Sequence, residues 1–208
     1  MKTQVTELRT EAVCSDDGGK RYLLRKTWDD GLPKLAVIML CAGSAGAVAL
    51  DTTTQLVLNN ASRLGYGSVA IVNLFATLND FTLKESTSED AENLDAIVQE
   101  VIVAERVIYA PGTGKAKNKL FMEVQEQVLL ALQPFEDKLC CLCDKEGGSR
   151  YLHPLSPRVR EWHLSPLKIS ELIELPKTES ETKRKSKGKA AKKETPYEQP
   201  RKISLPLD

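Results

Sequence analysis

A chain of 208 residues with 41% apolar content can bury one sizeable core, and its 29 Lys and Arg against 29 Asp and Glu leave no formal net charge. The balance is uneven, because residues 176–208 hold ten bases and five acids while residues 1–175 hold 19 and 24. No run approaches the roughly 18 apolar residues of a membrane span, and the opening Met-Lys-Thr-Gln-Val-Thr-Glu lacks a signal peptide's apolar core, so a membrane role is excluded and a cytoplasmic location is expected.

Residues 10–28 read as a β-hairpin: a first strand over 10–14, a turn at Asp16-Asp17-Gly18-Gly19, and a second strand over 20–28. Alternation along the second strand sets Tyr22, Leu24 and Trp28 on one face. The first fully apolar run, 35–40, is a central strand by this pattern, and it empties into Cys41-Ala42-Gly43-Ser44-Ala45-Gly46. Small residues let backbone approach a ligand. The two glycines permit either an N–H nest for an anion or simply a tight connection to the next helix. Asp51 is placed to cap that helix, which carries Leu56, Val57, Asn60, Ala61 and Leu64 on one stripe and stops at Gly65.

Val69, Ala70, Ile71 and Val72 form a second strand apolar on both faces, with Asn73 at its C-terminal end. An amide there either reads a ligand in the crevice that α/β sheets open at their strand ends, or ties down the following loop. Thr87-Ser88-Glu89-Asp90 opens a second helix striped by Leu94, Ile97, Val98, Val101 and Ala104. Residues 106–110 are a third strand, 118–132 a third helix and 138–143 a fourth strand.

This alternation predicts an α/β protein of three layers, α/β/α, with a central, mostly parallel four-stranded sheet and a separate N-terminal hairpin. One domain is expected over 1–175, made of the hairpin 10–28, a β/α core 35–157 and a segment 158–175. From 176 onward the composition cannot offset the entropy of ordering, which predicts a disordered basic tail over 176–208. Lys183, Arg184, Lys185, Lys187, Lys189, Lys192 and Lys193 suit sequence-independent phosphate contacts along DNA, a protein partner, or plain solubility.

Four strands pointing one way bring the loops after Leu40, Val72, Ala110 and Cys143 to one edge, where chemistry is expected. Gly112-Thr113-Gly114-Lys115 there is not a nucleotide-binding P-loop, since Tyr109 and Ala116 stand where that pattern needs Gly and Ser or Thr; it remains either a simple loop or a weak phosphate grip. Five cysteines fit a reducing compartment. In an extended strand Cys140 and Cys143 point to opposite faces, so they read as buried small residues, and no metal or cofactor is expected. Of the two histidines, His153 and His163, each precedes a Ser-Pro pair, and His153 is the one placed at the exit of the last strand. It suits donation to a ligand carbonyl, and Cys41 is a further candidate, as a nucleophile beside it.

Arg21-Tyr22-Leu23-Leu24-Arg25 with Trp28, the strand 37–40, Gly65-Tyr66-Gly67, Val72-Asn73-Leu74-Phe75-Ala76, and Arg150 with His153-Pro154-Leu155 together resemble a bacterial family, domain of unknown function 1643, over roughly residues 20–157. The first loop departs from that family, which has Asn-Pro-Ser-Thr-Ala-Asp where this chain has Cys41 to Gly46. The arrangement more distantly resembles the uracil-DNA glycosylase superfamily. That likeness implies a DNA-acting protein that recognises or excises an unusual base, with an enzyme on free nucleosides or nucleotides as a further possibility. It implies Asn73 pairing with the base edge, Phe75 stacking, Gly43 and Ser44 lining the base site, and His153 assisting departure. Asp51 is the nearest acid for activating water. Because the loop lacks the usual acid or amide, a copy that binds without catalysing is the alternative.

Overall fold

The computed structural model describes residues 1–83 and 90–173. Thr87-Ser88-Glu89, expected to open the second helix, and the basic tail with its phosphate-contact lysines lie outside the described residues.

Four parallel strands form the centre: β3 Lys34–Cys41, β4 Ser68–Phe75, β5 Arg106–Tyr109 and β6 Leu139–Cys143. The chain starts as a hairpin of β1 Arg9–Cys14 and β2 Arg21–Thr27, and ends the sheet with β7 His163–Pro166. The order is β1-β2-β4-β3-β5-β6-β7. The expectation of four strands beside a free hairpin is therefore corrected to a single seven-stranded sheet, in which β2 pairs antiparallel with β4 and β7 antiparallel with β6.

Both additions have a physical reason. Arg21, Arg25 and Lys26 make β2 look half-solvated, yet it is buried nearly throughout, because Arg21 and Lys26 turn inward to acceptors elsewhere in the fold. His-Leu-Ser-Pro does not read as a strand either; Pro166 is tolerated because β7 is an edge, where no neighbour needs its missing N–H.

The helices start where their capping residues dictate. Asp51 Oδ1 accepts the Thr54 N–H at 2.7 Å to open α1 Thr52–Arg63. Asp90 does the same for α2 Ala91–Val103 through Asn93 at 3.1 Å, and Asn118 for α3 Lys119–Ala131 through Phe121 at 2.9 Å. Each cap stabilises its helix by about 1 kcal/mol. Gly65, at φ +84°, takes the left-handed turn that ends α1.

One sheet face packs Leu35, Val37, Met39, Val69, Ile71 and Ile108 against Val57 and Ala61 of α1 and against Val159 and Trp162. Asn60 of α1 binds the last segment there: its Nδ2 donates to Arg160 O at 3.1 Å and its Oδ1 accepts the Trp162 N–H at 3.0 Å. The opposite face carries α2 and α3, whose Leu94, Val124 and Val128 surround Leu74. Because β3 leads to β4 on one side and the chain then returns past it to β5, the order reverses between β3 and β5. In α/β sheets the ligand crevice opens at such a switch point.

Candidate functional site

The loops at the switch point are those after β3 and β5. Ala42 begins the first by donating its N–H to Phe75 O at 3.1 Å, and its carbonyl accepts the Asn79 N–H at 2.9 Å, which stitches the loops after β3 and β4 together. The underside of the first loop is held by two cations from β2. Arg21, 4% exposed, donates from Nη1 to Gly43 O at 3.1 Å and to Ala45 O. Lys26, 1% exposed, donates to Thr10 Oγ1 at 2.8 Å, Ala47 O at 2.8 Å and Gly46 O at 3.3 Å. Among the described residues neither forms an ion pair, and burial lowers the pKa of both, opposed at Arg21 by the charge of Asp51.

Asn73 lies inside β4, two residues before its end, opposite Met39 and 1% exposed. It shares strand parity with Val69 and Ile71 and so stands on the α1 face. Its Nδ2 donates to Cys41 O at 2.8 Å, tying down the start of the first loop rather than the loop that follows its own strand. Its Oδ1 is buried and has no hydrogen-bond partner among the described residues. The backbone beside it is clamped by Asn93 of α2, whose Nδ2 donates to the carbonyls of Asn73 at 2.9 Å and Leu74 at 3.1 Å.

The remaining expected residues fall around the same loop. Gly43 leaves room for the Asp51 carboxylate: a Cβ there would stand 3.0 Å from Oδ2. Ser44 is exposed, whereas Phe75 closes β4 at 4% exposure, opposite Cys41. His153 packs on Gly112, where an added Cβ would meet its own Cβ at 3.1 Å, and its ring feels the Asp51 charge. Asn73 thus holds one end of the first loop, and Asp51 at the other end acts on His153 through its charge. His163 instead opens β7 at the sheet's outer edge, exposed, opposite Cys143.

Electrostatics sort the chemistry. Burial pushes the Cys41 thiol up to about 11, with Asp80 adding to the shift and Lys115 opposing it, so a thiol rather than a thiolate is present at neutral pH. Burial lowers the His153 pKa below its ordinary 6.5 while Asp51 opposes. Nδ1 of His153 accepts the Leu155 N–H at 3.2 Å, which leaves the proton of the neutral ring on Nε2 as a donor. Because the folded pKa is depressed, the unfolded chain takes up the proton first on acidification. Stability present above about pH 6.5 is therefore lost as pH falls through the window below it. His153→Gln is expected to show a smaller drop in melting temperature between about pH 7 and about pH 5 than the parent, measured by scanning calorimetry.

Sequence reasoning missed the supports. Arg150 donates to Glu171 at 2.8 Å and to Pro166 O at 2.6 Å, and the Tyr151 hydroxyl also reaches Glu171, holding Tyr151 at φ +60° just before His153. Only the family resemblance had singled out Arg150, as it had Arg21. Among the described residues no group of three His, Cys, Asp or Glu is placed to hold a metal, and no helix is long and apolar enough to cross a membrane. Cys140 accepts from Arg106 at 3.7 Å and Cys143 donates to His163 O at 3.3 Å.

Compared with known families, residues 21–155 match the model described as protein of unknown function (DUF1643). That range runs from Arg21 under the first loop to Leu155 beside His153. No curated protein and no solved structure matches the chain.

Proposed function

The chain belongs to the family of proteins of unknown function DUF1643, and from the geometry of its loop edge we propose that it recognises an unusual or modified base in nucleic acid, binding without excising it. One observation carries the reading: the Asn73 carboxamide spends its N–H on Cys41 O and keeps a buried acceptor with no donor among the described residues. Such an orphan costs about 1–3 kcal/mol, which an N–H on a ligand's base edge removes. His153 complements it by offering Nε2–H to a base carbonyl. A base with a carbonyl and an N–H carries the partner group that each of these residues calls for.

Three features favour binding over excision. The first loop carries no acid or amide, Asp51 Oδ1 is committed to capping α1, and the Cys41 thiol is protonated. Retardation of DNA duplexes carrying uracil or modified bases, followed by alkali treatment, tests the proposal. Retardation of one modified duplex over its unmodified control, at least tenfold weaker in Asn73→Leu and with strands intact after alkali, is the expected result, a loss of about 1.4 kcal/mol or more. Equal retardation of all duplexes by parent and variant overturns base recognition, and alkali-labile strands overturn binding without excision.

A further inference from the structure

The Gly112 to Lys115 loop is left unused by the base reading, and its environment is not that of a plain connection. It follows β5 and faces the first loop across the switch point, with Gly112 at φ +80° against His153. Among the described residues, the N–H groups of Gly112, Thr113, Gly114 and Lys115 have no acceptor within the protein; bonding resumes at Ala116, to Thr113 O, and at Asn118, to Lys115 O. Nothing lies within 4 Å of where a Gly114 Cβ would stand, so the backbone is open to approach.

Lys115 is half-buried, makes no ion pair among the described residues, and its charge is felt at the Cys41 thiol that opens the first loop. The nearby acids have other work: Asp80 Oδ1 takes the Thr82 N–H at 2.9 Å and hydroxyl at 2.6 Å, and Asp51 caps α1. Four consecutive unpaired N–H groups ending in an unpaired ammonium, beside a neutral imidazole, make a receptor for a tetrahedral oxyanion.

Resting on the base-recognition reading, we propose that the Gly112 to Lys115 loop is a phosphate subsite, which grips the phosphate attached to the nucleoside whose base Asn73 and His153 read. The same chemistry serves a free nucleotide's phosphomonoester or a nucleic-acid phosphodiester.

Calorimetric titration of the full chain decides. The probes are uridine, cytidine, adenosine and guanosine, each beside its 5′-monophosphate, together with inorganic phosphate and a short oligodeoxynucleotide with 5′-hydroxyl ends. At least one monophosphate, or the oligonucleotide, is expected to bind about tenfold or more tightly than the matching nucleoside. Lys115→Ala should abolish that difference and Lys115→Arg retain it, both with unchanged melting temperature. A preference for the monophosphates identifies a free nucleotide and a preference for the oligonucleotide a backbone phosphate, either of which supports the subsite.

Equal binding of nucleosides and phosphorylated probes, or a phosphate preference that survives Lys115→Ala, overturns it. Binding of inorganic phosphate that depends on Lys115, with nucleosides adding nothing, upholds the subsite and sinks the base reading. Nucleoside binding lost in Asn73→Leu, with phosphate adding nothing, does the reverse. No binding by any probe overturns both.

Discussion

Asn73→Asp is expected to lower the unfolding free energy by about 3–5 kcal/mol at neutral pH, the scale of a buried charge left without a partner. The side chain is 1% exposed and its donor faces Cys41 O, so a carboxylate there sets lone pairs against lone pairs in a largely desolvated site. Of the cations beneath the first loop, Lys26 is committed to Thr10 Oγ1 and the carbonyls of Gly46 and Ala47, and Arg21 directs its Nη1 to those of Gly43 and Ala45. Denaturant unfolding across pH checks the cause. The new carboxyl's folded pKa is raised above its unfolded value of about 3.9, so the folded variant holds its proton longer, and its deficit opens as pH rises through that value and closes toward acid. A deficit independent of pH would show that shape, not charge, is responsible. Asn73→Leu separates stability from recognition: it leaves Cys41 O without its donor, at a cost of about 1–3 kcal/mol, and also removes the orphaned acceptor.

Arg21→Met is expected to cost about 3 kcal/mol and to loosen one stretch of backbone. Hydrogen bonds from a charged donor contribute about 1.5–3 kcal/mol each, and Arg21 makes two to the first loop, offset in part by relief of the buried guanidinium. Amide hydrogen exchange locates the effect. Protection should fall for residues 42–47 and around Asn79, whose N–H rests on Ala42 O, while β5 and β6 exchange as in the parent. Loss of protection spread evenly over all seven strands would mean that Arg21 supports the sheet rather than the loop.

Much of the core was legible because the two kinds of signal that carry it are local. The apolar runs at 35–40 and 69–72 read as strands covered on both faces, and Asp51 caps the helix it precedes because its side-chain oxygen reaches an N–H three residues on. The hairpin, too, was placed within a residue or two of β1 and β2. Its destination was not. β2 carries Arg21, Arg25 and Lys26, and charge in a strand reads as solvent exposure until something distant supplies acceptors; for Arg21 and Lys26 those acceptors are carbonyls some 20 residues away. β7 was missed because four residues ending in Pro have no pattern of their own and form a strand only on the edge that Cys140 to Cys143 offers.

The candidate site divides in the same way. Local sequence determined that β3, β4, β5 and β6 run parallel and deliver the first loop, the Gly112 loop and the His153 loop to one edge, since alternating strands and helices permit little else. Only the tertiary structure decided that Asn73 spends its donor on Cys41 O, that Arg21 and Lys26 hold the first loop from beneath, that His153 rather than His163 feels the charge of Asp51, and that neither the Asn73 acceptor nor Lys115 finds a partner among the described residues. Those facts are pairings between groups distant along the chain. Spacing reports which face a side chain takes, but which partner it meets, and at what cost in burial, is set by the packing of strands that become neighbours only when the sheet has formed.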